Sequence, residues 1–286
     1  MTSVSIIGPN GQLGSDLVKV FINAGWKVNP ITHAEISVEN AESVSIALKN
    51  AETDWVINTA AFHKVDECEK DTQKAWEINV HGAKNVAIVA RDLGMRSVFI
   101  SSDYVYSGSK EDFYSENDPV SPVNGYGHSK AGGEAVTLAA SEKNLVVRIA
   151  SVFGAVGSSG KGGNFVETII NKAKIGDPLS VVDDIVMSPT FTVDAAQKIL
   201  ELLNRDQSGI FNATNCGSTS WFGFAQEILE QTKLQTELSA SKTNWESPLK
   251  RPKNSSLDVS KIEKLSINSP TWLDGLKRYL KEKGHI

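Results

Sequence analysis

Short apolar runs alternate with helical spacing through the first 150 residues, and this alternation limits the chain to one class of fold. Residues 4–7, "WKVNPI", "DWVINTAA", "SVFISS" and "LVVRIA" read as strands, brief and rich in β-branched side chains. Between them, residues 11–24, 38–48, 72–93 and 124–140 carry apolar side chains at helical intervals, with Leu13, Leu17, Val20 and Phe21 on one face of the first. Strands that alternate with amphipathic helices form right-handed βαβ units and a parallel sheet covered on both faces. The fold class is therefore α/β with a doubly wound parallel sheet. Pro30 should bend or end the second strand, because it has no N–H to donate.

After Phe153 the pattern loosens. "GAVGSSGKGGN", around Ser158, has the composition of a mobile loop. A helix over 165–174, the stretch "PLSVVDD", a helix over 192–203 and a strand "GIFNAT" follow. Residues 233–258 are polar and read as loops and short elements of a smaller lobe, and an amphipathic helix over 270–283 ends the series. The 286 residues suffice for one large domain or a domain plus a lobe.

Gly8, Gly11 and Gly14, in "GPNGQLG", join the first strand to the first helix. Glycine there lets the backbone turn sharply and lets a pyrophosphate approach the helix N-terminus, whose N–H groups and dipole favour anions. The turn from Gly8 through Asn10, Gly11, Gln12 and Leu13 to Gly14 is thus a candidate dinucleotide cradle; the alternative is a turn that only packs helix on strand. An acidic residue about 20 positions further on would bind the ribose of NAD. The chain offers Asn29, Thr32 and His33 there, with Glu35 late, which favours NADPH and leaves NADH open. Asn58, Ala60 and Ala61 end the third strand, and the small residues suit a cofactor lying across the sheet edge. Asn79, a poor helix former inside a long helix, should make a buried hydrogen bond to a neighbouring strand.

Three Tyr-x-x-x-Lys pairs occur, Tyr106/Lys110, Tyr126/Lys130 and Tyr279/Lys283, so spacing alone selects none. Tyr106/Lys110 spans a loop-like "YSGSK", and Tyr279/Lys283 lies among "RYLKEK", which reads as a solvated basic face. Tyr126/Lys130 begins a helix with Asn124 as its N-cap, and residues four apart share a helix face. Ser101, Ser102 and Asp103 close the fourth strand at the sheet edge that carries ligands. A free phenol is a poor acid at neutral pH, and a nearby ammonium should lower its pKa. With the Ser102 hydroxyl holding a substrate oxygen, Tyr126 would protonate that oxygen while a cofactor hydride attacks carbon.

Net charge weighs against other classes, although a local basic patch stays open. A net charge of −5 argues against nucleic acid and anionic membranes as partners. Cys68 and Cys216 lie far apart and the five His are scattered, so no metal site is expected and the thiols read as buried and free. The N-terminus is not a signal peptide, and no apolar run approaches the roughly 20 residues of a membrane span. The expectation is a soluble, cytoplasmic protein, with a homodimer left open.

Taken in order, "GPNGQLG", "VINTAA", "SSDYVYSG", "YGHSKAGGE" and "RPKNSSLD" resemble the extended short-chain dehydrogenase/reductase family, most closely its dTDP-4-dehydrorhamnose reductase branch, over nearly the whole chain. The resemblance implies a Rossmann-type dinucleotide-binding domain over 1–155, completed by about 190–214, and a smaller C-terminal substrate lobe, mainly 156–286, for a sugar nucleotide. It implies reduction of a 4-keto dTDP-6-deoxy sugar by NADPH or NADH. It makes Tyr126 the acid, gives Ser102 the hydroxyl place where the branch more often has Thr, and has Lys130 tune Tyr126 and bind the nicotinamide ribose. Val65, Asp103 and Tyr104 would line the sugar pocket, with Arg251 near the nucleotide sugar. Three positions depart from the branch: Ser151 stands where Trp is usual, Thr is usual near His63, and Met187 replaces a Gly. All three bear on the substrate pocket, so a reductase or epimerase of another nucleotide-linked 4-keto sugar is a second reading. A third is a non-catalytic NADP-binding regulatory subunit, resembling that of methionine adenosyltransferase.

Overall fold

The computed structural model describes residues 2–156, 163–244, 246–247 and 249–286; Ser158 and the centre of the Gly/Ser-rich stretch lie outside them. Six parallel strands form the main sheet: β1 (Ser3–Ile7), β2 (Lys27–Ile31), β3 (Trp55–Asn58), β4 (Arg96–Ser102), β5 (Leu145–Ile149) and a sixth, Gly209–Asn212. Their spatial order is sixth, β5, β4, β3, β1, β2. The chain runs outward from β1 to β2, then returns to place β3 on the other side of β1. The carboxyl ends of β1 and β3 therefore flank a topological switch point, where a crevice for a ligand opens.

Alternate residues of each strand bury on opposite faces. Val4, Ile6, Trp55, Ile57, Val98 and Ile100 meet α1 (Gln12–Asn23) and a helix at Thr192–Asn204, through Leu17, Phe21, Ala195 and Ile199. Ile7 and Val56 meet α2 (Ala41–Ala51) and the helix at Ala83–Asp92, through Val44, Leu48, Val86 and Ala90. A separate cluster joins the helices Phe165–Lys174, Trp221–Thr232 and Trp272–Glu282 with the strand Leu179–Val182, which pairs in parallel with Leu238–Ser241.

Several boundaries differ from expectation. β2 runs through Pro30 to Ile31 instead of breaking; it is an edge strand, so the missing N–H need not remove a ladder bond. α2 starts three residues late, because Asn40 caps it by accepting from Ser43 N (3.0 Å). The helix expected over 72–93 is broken by a π-turn: α4 (Thr72–Trp76) leads into the π-turn at Glu77–Gly82 and α5 (Ala83–Asp92) follows, with a short α3 (Val65–Lys70) before them. The helix Trp221–Thr232 was not foreseen, although Ser220 caps it and Phe224, Ala225, Ile228 and Leu229 bury at helical spacing. Tyr279 is not on a solvated face. It is fully buried, donates to Glu167 Oε1 (2.6 Å) and accepts from Asn164 Nδ2 (3.0 Å). Both cysteines are free, with Cys68 buried and Cys216 only partly so.

Candidate active site

At the end of β1 the backbone enters the left-handed region at Gly8 (φ 80°). Gly8 N–H donates to Ile31 O (3.0 Å), and the Gly8 carbonyl accepts from Gly11 N–H (3.2 Å). A Cβ at residue 8 would lie 2.5 Å from Thr59 Oγ1, and one at residue 14 would collide with the Gly8 carbonyl. Gly11 caps α1 without a side-chain hydrogen bond, and the first turn of α1 has no acidic residue. Its N–H groups remain available to an anion. Gln12 Oε1 is buried and has no hydrogen-bond partner among the described residues. The sharp turn at Gly8, the close approach at Gly14 and the open N–H groups of α1 fit a dinucleotide pyrophosphate.

Across the crevice, β4 ends in Ser101 and Ser102. Ser102 Oγ donates to Asp103 Oδ1 (2.8 Å) and accepts from Tyr104 N–H (3.2 Å). The next helix, α6 (Gly125–Ala140), begins at Asn124, whose Oδ1 accepts from Gly127 N–H (2.9 Å). Tyr126 thus stands in the first turn, with its ring edge-on to Tyr104 at 5.7 Å between centroids. Lys130, one turn on, is buried; its Nζ donates to Ile100 O (2.6 Å) and lies 4.2 Å from the centre of the Phe99 ring.

Burial draws the Lys130 ammonium down to about 7, against the opposing pull of Glu134 and Cys68. Burial likewise pushes the Tyr126 phenol up, opposed by a hydrogen bond with Ser102 and aided by Asp103. The expected lowering by Lys130 is absent here because desolvation of a phenolate outweighs it and Lys130 Nζ is engaged with Ile100. A phenol that keeps its proton is the form that carbonyl reduction consumes. The Asp103 carboxyl is pushed up to about 6, again by burial, with Ser255 and Ser102 hydrogen bonds opposing.

One cavity of about 1150 Å³ contains nearly every candidate. Its walls include Gly8, Asn10, Gly11, Gln12, Leu13 and Gly14; Ala60 and Ala61; Val65; and Ser102, Asp103, Tyr104, Tyr126 and Lys130. Arg251 is not on that wall. It lies beside Tyr104, whose phenol burial pushes up to about 12 with Arg251 opposing, and its Nη2 is 3.2 Å from Asp66 Oδ2. Sequence reasoning missed the far wall, where Asn164, Phe165, Thr168, Trp221 and Phe224 face the cavity. Phe165 meets Trp221 edge-on at 4.7 Å. The apolar spacing after Ser220 was the signal that could have found Trp221 and Phe224. Ser151 also lines the cavity, in a left-handed conformation (φ 42°), whereas Met187 is buried in the C-terminal cluster and does not. Asn79 is fully buried and ties three elements together. Its Oδ1 accepts from Phe62 N–H (2.8 Å), and its Nδ2 donates to Phe62 O and Ser129 Oγ (both 2.9 Å). It therefore links the segment after β3 to α6, rather than reaching a strand. No group of side chains able to hold a metal occurs among the described residues, and no helix among them is long and apolar enough to cross a membrane.

This architecture recurs in known proteins. The spore coat polysaccharide biosynthesis protein SpsK of Bacillus subtilis is 35% identical over 284 residues, covering 99% of this chain and 98% of that protein. A crystal structure of a dTDP-4-dehydrorhamnose reductase from Clostridium acetobutylicum superposes with a TM-score of 0.93 at 34% identity, covering 99% of this chain and all of that one. The dTDP-4-dehydrorhamnose reductase of Bacillus anthracis, solved in complex with NADP, gives 0.92 at 31% identity with the same coverage. The family described as the RmlD substrate binding domain matches residues 1–284, and the chain belongs to it.

Proposed function

We propose that this protein reduces the 4-keto group of a dTDP-linked 6-deoxy sugar with NADPH, converting dTDP-4-dehydro-L-rhamnose to dTDP-L-rhamnose, with NADH as an alternative donor. The observation that carries the reading is that Tyr126, Ser102 and Lys130 share a cavity with a glycine turn fitted to a dinucleotide. The names of the similar reductases support the substrate, and the NADP complex from Bacillus anthracis supports the cofactor. When bound, the nicotinamide supplies a hydride to the carbonyl carbon. The Ser102 hydroxyl holds the carbonyl oxygen, and Tyr126 gives it the phenolic proton. Lys130 holds the cofactor ribose, and the phenolate left behind on Tyr126 regains its proton from solvent. Gly8, Asn10, Gly11, Gln12, Leu13 and Gly14 cradle the pyrophosphate, with Ala60 and Ala61 beneath the cofactor. Val65, Asp103 and Tyr104 border the sugar, and Arg251 steadies Tyr104 from beside it.

The test is oxidation of NADPH by the purified protein with dTDP-4-dehydro-L-rhamnose, with NADH run in parallel. Sugar-dependent loss of NADPH absorbance is the expected result. Tight NADPH binding without turnover would overturn the sugar assignment. A second reading, reduction or epimerisation of another nucleotide-linked 4-keto sugar, is favoured by Ser151, whose small side chain leaves room on the cavity wall for a differently substituted ring.

A further inference from the structure

Tyr126, Lys130 and Glu134 occupy successive turns of α6 on one face. Glu134 lies deep in the fold. Its Oε1 accepts from Ser101 Oγ (2.6 Å) and Arg148 Nε (2.8 Å), and its Oε2 accepts from Arg148 Nη2 (2.6 Å). All three residues are buried, and Arg148 stands directly opposite Ser101 in the β4–β5 ladder. Arg148 also donates through Nη1 to the Tyr106 hydroxyl, which donates to Ser115 O (2.7 Å) and so ties down the segment after Tyr104. Consecutive residues of β4 are thereby fastened to α6, Ile100 through Lys130 and Ser101 through Glu134, with Ser102 next in line.

We infer that Glu134 is a positioning residue for the reduction: clamped by Arg148 and Ser101, its carboxylate pins the Lys130 turn of α6 to the end of β4 and supplies the negative charge that keeps Lys130 cationic for the dinucleotide. The inference rests on the reductase reading above. Other titratable groups on α6 and on the elements that adjoin it are Tyr126 on α6 itself, Asp103 after β4, Arg148 on β5, Cys68 on α3, and Glu77 and His81 on the π-turn; of these, Cys68 acts on Lys130 beside Glu134. Glu134 and Cys68 both favour the charged Lys130. Burial pushes the Cys68 thiol up to about 11, so it is neutral at working pH and the charge must come from Glu134.

The test is NADPH affinity by cofactor fluorescence across pH 5.5–9 for wild type, Glu134→Gln and Glu134→Asp. In wild type the affinity should fall as pH rises through the Lys130 titration. In Glu134→Gln that fall should move about one pH unit or more toward acid, the scale set by an adjacent opposite charge. Glu134→Asp should stay near wild type. If the uncompensated Arg148 prevents Glu134→Gln from folding, Glu134→Gln/Arg148→Met is measured instead, because it removes the guanidinium that would be left without its carboxylate, and the same acid shift is expected. An unchanged pH profile in the folded variant, even with a lower Tm, would overturn the inference and leave Glu134 a purely structural ion-pair partner. No sugar is needed, so a wild type that binds NADPH but reduces no keto sugar would defeat the reductase reading separately.

Discussion

Replacing Lys130 with methionine should stabilise the fold while disabling it. Lys130 is buried, and its pKa falls from 10.5 to about 7 on folding, chiefly through desolvation. At about 1.4 kcal/mol per pH unit, holding this lysine in place costs about 5 kcal/mol at neutral pH. Methionine removes that term but leaves the Ile100 carbonyl without its Lys130 donor, a loss of about 1–3 kcal/mol. The net gain of about 2–4 kcal/mol corresponds to a Tm higher by about 4–8 °C in a chain of this size. The sign follows from proton binding. Between pH 7 and 10.5 the unfolded chain binds more protons at this site than the fold does, so wild-type stability gains from this group as pH rises. The lysine's destabilisation is full near pH 7 and gone above 10.5. The advantage of Lys130→Met should therefore be greatest near pH 7 and shrink toward pH 10, while NADPH affinity and turnover both fall. Differential scanning fluorimetry of both proteins from pH 6 to 10 reads this directly. A variant with a lower Tm, by the same margin at every pH, would refute the claim that Lys130 is kept for function at a cost in stability.

Tyr126→Phe should lower kcat by about 10²-fold or more with NADPH affinity unchanged, since it removes only the proton donor; steady-state kinetics beside a cofactor titration checks this, and normal turnover would remove Tyr126 from the acid role. Gly14→Ala should abolish measurable NADPH binding, because the new Cβ meets the Gly8 carbonyl and forces α1 away from the turn; retained affinity in a folded variant would mean that the turn is only a packing device. Asn79→Ala removes the side chain linking Phe62 to Ser129 and should raise the KM for NADPH severalfold, with a Tm loss of several degrees; an unchanged KM would show that the segment after β3 holds its shape without that link.

The sheet and the near side of the site were legible because both follow from local pattern. Strand-end glycines, a capped helix carrying Tyr126 and Lys130, and serines ending β4 depend on neighbours in sequence. Long-range contacts were not legible. The π-turn at Glu77–Gly82 accompanies a buried Asn79 that reaches both Phe62 and Ser129, 17 and 50 residues away. Tyr279 looked solvated among "RYLKEK", yet Glu167 and Asn164, more than a hundred residues earlier, bind its hydroxyl. The raised Tyr126 phenol was missed for a related reason: spacing shows which charges are near, but not how much water the fold removes. Pro30 shows the converse, since a residue that breaks a central strand is accommodated at a sheet edge, and strand order is not a local property.

The central claim is that this chain delivers hydride to a sugar carbonyl carbon in the cavity shared by Tyr126 and the glycine turn. The most direct measurement is to supply NADPH deuterated at nicotinamide C4, on each face in turn, with dTDP-4-dehydro-L-rhamnose, and to locate the label in the product by NMR. The account predicts deuterium at C4 of the rhamnosyl ring from one face only. Product without deuterium at C4, or deuterium at another carbon, would contradict it.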